Sequence, residues 1–268
     1  MEVEIHLQKS VDENAGIYFD LAKKAKRKLQ GAQEALEDSK KKLQELLGKE
    51  EQFWEEQKKK EEKKDRKTEW YEKFHWFFSS EGFLCIGGKD ATSNEMVIKK
   101  HLDPDDLVFH TDMAGSPFFV VKHGQKAGEK TRQETAQAVA MYSRAWKLGH
   151  QTADVFYVLP EQVTKEAKAG EHLGKGSFMI MGKTSYIYPK LECAIGLIAI
   201  EQKEGSPGYQ IIGGPISAVE HQTKNYLVII PGKEKKSSLA KKIRSKLKGG
   251  ELDDIIKFLP AGGGEVKR

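Results

Sequence analysis

The stretch "GFLCIGGKDATSNEMVI", residues 82–98, decides how the chain is read, because an apolar run is followed by two glycines and a lysine. A Walker-type phosphate loop needs the pattern GxxxxGK[ST] leading into a helix, so that backbone N–H groups converge on the anion. Here the segment that follows, "EMVIKK", looks like a strand. We therefore predict a turn between two strands, with Gly87 and Gly88 at positions of positive φ or close backbone approach.

Downstream of residue 80, short apolar runs with a period of two are separated by turn residues, which is typical of strands. We predict strands at "GFLCIGG", "EMVIKKHL", "DLVFHTD", "SPFFVVKH", "ADVFYVLP", "SFMIMGK", "ECAIGLIAIE", "YQIIGG" and "YLVIIPG". Helices are expected at about 129–148, 236–248 and 251–259, followed by a flexible "AGGGEVKR" tail. Because the strands come in runs and do not alternate strictly with helices, the predicted fold class is α+β.

Upstream of residue 80 the apolar residues follow a heptad pattern, which predicts a coiled-coil helix. They step alternately by three and four along one seam: Ala15, Tyr18, Ala22, Ala25, Leu29, Ala32, Leu36, Ser39, Leu43 and Leu46. Near Gly48 we expect the chain to reverse into a second helical stretch, whose charged run at 58–67 is a solvated face. That stretch regains an apolar face at its end, formed by Trp70, Tyr71, Phe74 and Phe78.

The sequence thus predicts three parts. Residues 1–79 form an N-terminal antiparallel coiled-coil helical hairpin, residues 80–190 a mixed α+β globular domain, and residues 191–268 a C-terminal α/β extension packed on it. The heptad seam also allows pairing between two copies of the chain, so a homodimer through the coiled coil stays open.

Charge is distributed unevenly along the chain, whose formal net charge is +5. Residues 12–73 hold 17 Lys and Arg against 16 Asp and Glu, whereas residues 122–190 hold 11 against 6. The surplus positive charge therefore belongs to the globular part, where it suits a polyanionic partner. No apolar run reaches the roughly 20 residues of a membrane helix, so we expect a cytoplasmic protein without membrane contact. Cys85 and Cys193 lack a CxxC pattern, so we expect buried reduced thiols.

Ordered motifs in residues 12–190 resemble the NFACT family, which includes nuclear export mediator factor and fibronectin-binding-protein-A-like relatives. "VDENAGIYFDLAKKAKRKLQGA" is similar to the coiled-coil arm of that family. Four further motifs resemble its NFACT-R RNA-binding domain: "WYEKFHWFFSSEGFLCIGGKDATSNEMVIKKHL", "DLVFHTDMAGSPFFVVK", "ETAQAVAMYSRAWKLG" and "ADVFYVLPEQVTKEAKAGEHLGKGSFMIMGK". Residues 191–268 resemble the extension of archaeal members only loosely.

The resemblance implies binding to transfer RNA, ribosomal RNA and the large ribosomal subunit, in ribosome-associated quality control of stalled nascent chains. It implies no hydrolytic chemistry and no cofactor. Family members begin with an NFACT N-terminal domain and a helix-hairpin-helix module, and the motifs quoted above match neither. We therefore do not expect this chain alone to add C-terminal tails to nascent chains.

RNA affinity comes largely from Lys and Arg at phosphates, while aromatic planes stack on unpaired bases. The candidate RNA-binding residues are Lys89, His110, Asp112, Lys122, Arg132, Arg144, Lys165, Lys175 and Lys183. Each lysine alone is typical of a solvated surface, so only clustering on one face makes a site. The glycine-rich stretch 168–177 either lets a phosphate approach the backbone or is an ordinary loop. The basic stretch 233–248 is expected to pack one helical face and leave the other free for RNA.

His110 and Asp112 alternate along a predicted strand, so they also suit a pair of metal ligands or an acid/base pair. Two ligands do not complete a metal site, and we favour an RNA contact or a structural pair, which predicts neither catalysis nor a bound metal. Trp70, Trp76 and Trp146 are interpreted as core residues and not as stacking platforms. The alternative function is a coiled-coil protein-interaction adaptor without direct RNA contact, whose charge serves solubility.

Overall fold

The structure, a computed structural model, describes residues 4–64, 69–166, 173–201 and 207–267. The chain divides into two compact units, Met1–Thr68 and Glu69–Arg268. Within its described residues, the first unit contains one helix, α1 (Val11–Lys64). The second unit contains antiparallel sheets and shorter helices, so the α+β class is confirmed.

The α1 helix runs straight past residue 48, so the predicted antiparallel hairpin is not confirmed. A single glycine costs a helix only about 1 kcal/mol relative to alanine, and the residues around Gly48 are good helix formers with no proline among them. At the other end Ser10 and Glu13 form a capping box, with Glu13 N donating to Ser10 Oγ at 3.2 Å and Ser10 N to a Glu13 carboxylate oxygen at 2.8 Å. The side chains of the charged run at 58–67 lie outside the described residues.

The second unit has strands and helices throughout its described residues. The strands are β1 (His75–Phe78), β2 (Leu84–Gly87), β3 (Leu107–Thr111), β4 (Phe119–Val121), β5 (Val155–Val158), β6 (Val163–Thr164), β7 (Met179–Ile180), β8 (Ser185–Ile187), β9 (Cys193–Glu201), β10 (Pro207–Gly214), β11 (Tyr226–Glu234) and β12 (Gly264–Val266). The helices are α2 (Ala91–His101), α3 (Glu129–Tyr142), α4 (Arg144–Leu148), α5 (Ile216–Gln222), α6 (Lys236–Leu247) and α7 (Leu252–Phe258).

The first sheet has the strand order β1-β2-β4-β3-β5-β8, and every neighbouring pair is antiparallel. Helix α3 packs on one face and α2 on the other. Successive strand residues face opposite sides: on β3, Phe109 joins the core on the α3 side, whereas Val108 joins the core on the α2 side. His110 therefore faces the α2 side.

The second sheet has the order β10-β9-β11-β12, and α5, α6 and α7 contact its strands. One hydrophobic core contains residues of both sheets, including Phe109 and Phe119 of the first and Ile195 and Ile229 of the second. The predicted flexible tail is wrong for residues 264–266, because β12 pairs with β11 and places Val266 opposite Ile229.

The segment predicted as the strand "EMVIKKHL" is the helix α2, and this changes the interpretation of residues 82–98. Asp90 caps the helix: its side chain accepts from Ser93 N at 2.8 Å, and Ser93 Oγ accepts from Asp90 N at 2.8 Å. Asn94, Val97 and Ile98 are buried at helical spacing. The capping box and this buried face outweigh the strand preference of the β-branched pair.

Of two further helix predictions, one meets a local break and the other is confirmed. The helix expected at 129–148 is divided into α3 and α4 at Ser143, whose Oγ accepts from Ala145 N at 3.2 Å and caps α4. The basic helix α6 packs Leu239, Ile243 and Leu247 inward, which confirms the predicted buried face.

The predicted buried thiols are confirmed, since Cys85 and Cys193 are both free and buried, and burial raises the pKa of Cys85 to about 12. Trp146 is buried as predicted, and its indole N–H donates to Gly263 O at 2.9 Å. Trp70 differs from the prediction: it is 44% exposed and stacks on the His101 ring with 4.6 Å between centroids.

Candidate nucleic-acid interface

A cavity of about 490 Å³ opens at the edge of the first sheet where β2 and β3 end. Both strands run antiparallel to β4, which lies between them, so their carboxyl ends meet at the same edge. Of the nine candidate RNA-binding residues, the structure brings four to this cavity: Lys89, His110, Asp112 and Lys175. We call the cavity, with the residues that line it, the edge cleft.

The glycine pair at the end of β2 lets the chain pass tightly beneath α2. A Cβ on Gly88 would lie 2.0 Å from Asn94 Oδ1, so this position requires glycine for close approach and not for a hairpin turn. Gly88 N donates to Phe118 O at 3.1 Å, and Phe118 N donates to Asn94 Oδ1 at 3.0 Å. These bonds fix the backbone that carries Lys89 to the edge cleft.

The described part of the glycine-rich loop, residues 173–177, rests on the first turn of α2; residues 168–172 lie outside the described residues. Gly176 has φ +77, and a Cβ there would lie 2.5 Å from Ala91 O. Its N–H donates to a Glu95 carboxylate oxygen at 2.9 Å. The loop thereby holds Lys175 at the mouth of the edge cleft.

Glu95 anchors this loop through two lysines as well. Lys99 Nζ lies 2.6 Å from one carboxylate oxygen and Lys165 Nζ lies 3.5 Å from the other. The Lys99 hydrogen bond and then the Gly176 N–H lower the pKa of Glu95 to about 2. Lys165 also donates to Gly174 O at 2.9 Å and lies 4.9 Å from the centre of the Phe178 ring. Lys165 therefore supports the loop beside the edge cleft.

The N-terminus of α2 is occupied by its own cap. Asp90 accepts from the backbone and side chain of Ser93, and these bonds lower the pKa of Asp90, with a smaller contribution from Lys175. A phosphate at this helix end would meet the Asp90 carboxylate, which repels it. An anion in the edge cleft would therefore be held by the lysine side chains and not by the helix terminus.

The pKa of Lys89 is affected by its surroundings. Partial burial lowers its pKa, and the nearby Lys257 lowers it further, while Asp90 acts in the opposite direction. Its ammonium group lies 3.5 Å from the carbonyl oxygen of Glu72. An anion beside Lys89 relieves the repulsion between the two lysines.

The wall of the edge cleft is aromatic. His110 stacks on Phe118 with 3.9 Å between ring centroids, and its Nε2 lies 3.2 Å from Ser116 O. Burial lowers the pKa of His110, so the ring is neutral at pH 7. Phe118 meets Phe178 edge-on at 5.4 Å. The wall therefore offers flat, uncharged surfaces.

A second aromatic group continues across the sheet. Phe156 on β5 pairs with both His110 and Tyr186, so the three side chains form one row across β3, β5 and β8. Tyr186 is 42% exposed, and its ring lies 6.4 Å from that of Tyr188, nearly parallel. The Tyr186 hydroxyl donates to an Asp112 carboxylate oxygen at 3.1 Å. Asp112 therefore pairs with tyrosine and not with His110.

Sequence reasoning missed Tyr186 and Tyr188. The signal was present in "SYIYP", where two tyrosines alternate with Ile187 and so project from the same face of a short strand. Only the sheet order shows that β8 is an edge strand, and only the tertiary structure shows that both rings stay exposed.

Four of the remaining candidates lie outside the edge cleft. Lys122 is 14% exposed and its charge is neutralised by Asp106 and Asp103. Arg132 lies over the Tyr157 ring at 5.6 Å. Arg144 is exposed at the start of α4. Lys183 is exposed beside Thr184, which does line the cleft.

Among the residues the structure describes, no three His, Cys, Asp or Glu side chains come together in a way that suits a metal ion. Within the same residues, no helix combines the length and the apolar character that crossing a membrane requires.

Comparison with known proteins identifies relatives of the chain. Residues 73–182 match the NFACT protein RNA binding domain. The chain is 38% identical over 205 residues to the archaeal Rqc2 homolog aRqcH of Methanocaldococcus jannaschii, covering 75% of this chain and 30% of that protein. It is 34% identical over 210 residues to the ribosome quality control complex subunit NEMF homolog of Drosophila melanogaster, covering 76% of this chain and 20% of that protein.

A solved structure, the C-terminal of the fibronectin/fibrinogen-binding protein from Streptococcus suis, is 17% identical with a TM-score of 0.38, over 47% of this chain and 49% of that one. The chain spans less than a third of the length of the two curated relatives named above. The domain match and these two relatives agree, and the chain belongs to the NFACT family.

Proposed function

We propose that this chain is an RNA-binding module that contacts transfer RNA and ribosomal RNA on the large ribosomal subunit during quality control of stalled nascent chains. The observation that carries the proposal is the edge cleft, which combines Lys89 and Lys175 with the exposed ring of Tyr186. Phosphate neutralisation dominates RNA affinity, and aromatic planes hold unpaired bases. The names of the two relatives supply the ribosomal setting.

The charge arrangement supports an anionic ligand at this place. Lys175 and Lys89 are both exposed, and Lys89 has a lysine as a neighbour, so both gain from a nearby phosphate. By contrast, the charge of Lys122 is already neutralised by aspartates. The proposal therefore rests on the lysines of the edge cleft and not on the overall net charge. We assign no reaction to the cleft.

The test is transfer-RNA binding by the whole chain, measured by fluorescence anisotropy between about 50 and 200 mM salt. The doubly substituted Lys89→Ala/Lys175→Ala variant removes two phosphate contacts. We expect its affinity to fall about tenfold or more and the slope of log K against log[salt] to decrease by about 1.4, since each contact contributes about 0.7 on single-stranded segments.

A matched control removes the same charge elsewhere. Lys224→Ala/Lys267→Ala changes two exposed lysines near the second sheet, and we expect it to keep affinity within about twofold. Equal losses in both variants would show that binding follows net charge and would contradict a role for the edge cleft. Absence of transfer-RNA binding by the unaltered chain at 50 mM salt would contradict the proposal as a whole.

The adaptor function is a second candidate because the seam of α1 is exposed in its own unit. Leu29, Leu36 and Leu43 are 61%, 56% and 58% exposed, measured over the described residues. A regular apolar stripe of this kind suits a helical partner, including a second copy of the chain. Leu29→Glu/Leu36→Glu in the whole chain should leave RNA affinity unchanged and abolish any self-association seen by sedimentation. Loss of RNA affinity in this variant would place the RNA contact on α1 instead.

A further inference from the structure

The edge cleft has two chemically different ends. Lys89 follows β2, and Asp112 follows β3, with β4 between these strands. Neighbouring strands lie about 4.8 Å apart, so the two residues are separated across the sheet by roughly 10 Å. Lys175 lies at the Lys89 end, because its loop rests on Ala91. One end is therefore cationic and the other carries a carboxylate.

The space between these ends is of the size of a small ligand, and aromatic side chains form part of its lining. The volume of about 490 Å³ lies in the range of roughly 300–1,000 Å³ that such ligands occupy. Phe118, Phe156 and Phe178 line it, together with the neutral ring of His110. Phe118 and Phe156 are 3% and 5% exposed, whereas Tyr186, which also lines the cleft, is 42% exposed. An unpaired base can therefore stack on the Tyr186 ring.

The polar side chains inside the cleft are mostly bonded to one another. Asn94 Oδ1 accepts from Phe118 N, and Thr111 Oγ1 lies 2.6 Å from Ser116 Oγ. Asp112 is different: it is exposed, and the Tyr186 hydroxyl donates to its carboxylate. A carboxylate has about four acceptor positions and no donor, so Asp112 retains capacity to accept from an N–H group and repels a carbonyl oxygen.

We propose that the edge cleft holds one unpaired nucleotide of the bound RNA. Its phosphate lies at Lys89 and Lys175, its base stacks on the Tyr186 ring, and an exocyclic amine of the base donates to Asp112. Cytosine carries such an amine where uracil carries a carbonyl oxygen. The cleft therefore selects an amine-bearing base over uracil. This inference rests on the proposed RNA-binding function and assigns it a base preference.

The test compares labelled pentacytidylate with labelled pentauridylate by fluorescence anisotropy on the whole chain at low salt, since these oligonucleotides match in charge and ring size. We expect about a tenfold preference for pentacytidylate, the size of one hydrogen bond to a charged group. Asp112→Ala should remove this preference by weakening pentacytidylate binding while leaving pentauridylate binding unchanged or slightly stronger.

A second pair of variants tests the stacking. Tyr186→Ala should weaken both oligonucleotides about tenfold, whereas Tyr186→Phe retains the ring and should change pentauridylate affinity less than threefold. Thermal melting of each variant confirms that the fold is retained. Tyr186→Ala with unchanged affinity for both RNAs would overturn the stacking role of the cleft.

The outcomes separate this inference from the proposed function. If transfer RNA binds with the expected salt dependence but the two oligonucleotides bind equally in the unaltered and Asp112→Ala proteins, the base preference is overturned and RNA binding stands. If neither transfer RNA nor the oligonucleotides bind, both are overturned. A tenfold preference that survives Asp112→Ala would place base selection elsewhere and overturn the assignment to Asp112.

Discussion

The contact between the glycine-rich loop and helix α2 makes a sharp prediction for Gly176→Ala. Gly176 has φ +77, a region that costs a residue with a Cβ about 1–2 kcal/mol. The new Cβ would also lie 2.5 Å from Ala91 O and 2.6 Å from Ala91 Cα. These atoms belong to the backbone of a helix, so they do not move aside, and the loop must shift instead.

A shifted loop loses the hydrogen bond from Gly176 N to the Glu95 carboxylate. The backbone strain alone should lower the free energy of unfolding by about 1–2 kcal/mol, and the lost hydrogen bond should lower it further. Because the same loop carries Lys175, RNA affinity should fall at least threefold as well.

Urea unfolding measures the first effect, and the chain supplies a matched control two residues away. Gly174 has nothing within 4 Å of a built Cβ and no positive φ, so Gly174→Ala should change stability by less than about 0.5 kcal/mol. If the two variants unfold at the same urea concentration with the same slope, the loop does not rest on α2 in the way the geometry requires.

Two further predictions concern buried charges. Lys122→Ala should lower the free energy of unfolding by about 3 kcal/mol, because Asp106, whose side chain is 0% exposed, loses its cationic partner. As a control, substitution of the exposed Lys126 by alanine should change the free energy of unfolding by less than about 0.5 kcal/mol. A similar small loss for both variants in urea unfolding would contradict the pairing of Lys122 with Asp106. Burial lowers the pKa of His75 from 6.5 to about 3, so below pH 6.5 His75 becomes protonated in the unfolded chain and stays neutral in the folded chain. Stability should therefore drop by about 2 kcal/mol from pH 7 to pH 5, and His75→Phe, which keeps a ring against Tyr142, should remove that part of the loss; equal pH dependence in both proteins would refute it.

The sequence was enough for the fold class and for most strands. Alternating runs such as "DLVFHTD" and "ADVFYVLP" became strands because alternation is a local property that a half-buried sheet requires. The heptad seam likewise predicted the helical character of residues 15–46. The RNA-binding domain was visible as a resemblance because its motifs occur in a fixed order.

Local sequence misled where two signals competed. The segment "EMVIKKHL" has strand propensity, but Asp90 caps the start of α2 and so favours a helix. The packing of Asn94 against Gly88 then holds α2 in place on the sheet. The glycine at position 48 suggested a reversal, yet one glycine among good helix formers is too weak to stop α1.

By itself, the sequence determined which residues carry positive charge and which are aromatic, because these are properties of single side chains. Only the tertiary structure decided that Lys89, His110, Asp112 and Lys175 line one cavity, and that Lys122 forms an ion pair with Asp106. The physical reason is that this cavity is lined by the ends of β2 and β3, by the start of α2, and by a loop that carries Gly176. That loop lies some 80 residues farther along the chain than the start of α2. Antiparallel strand order and the close approach of Gly176 to α2 bring them together, and neither is written in any local pattern.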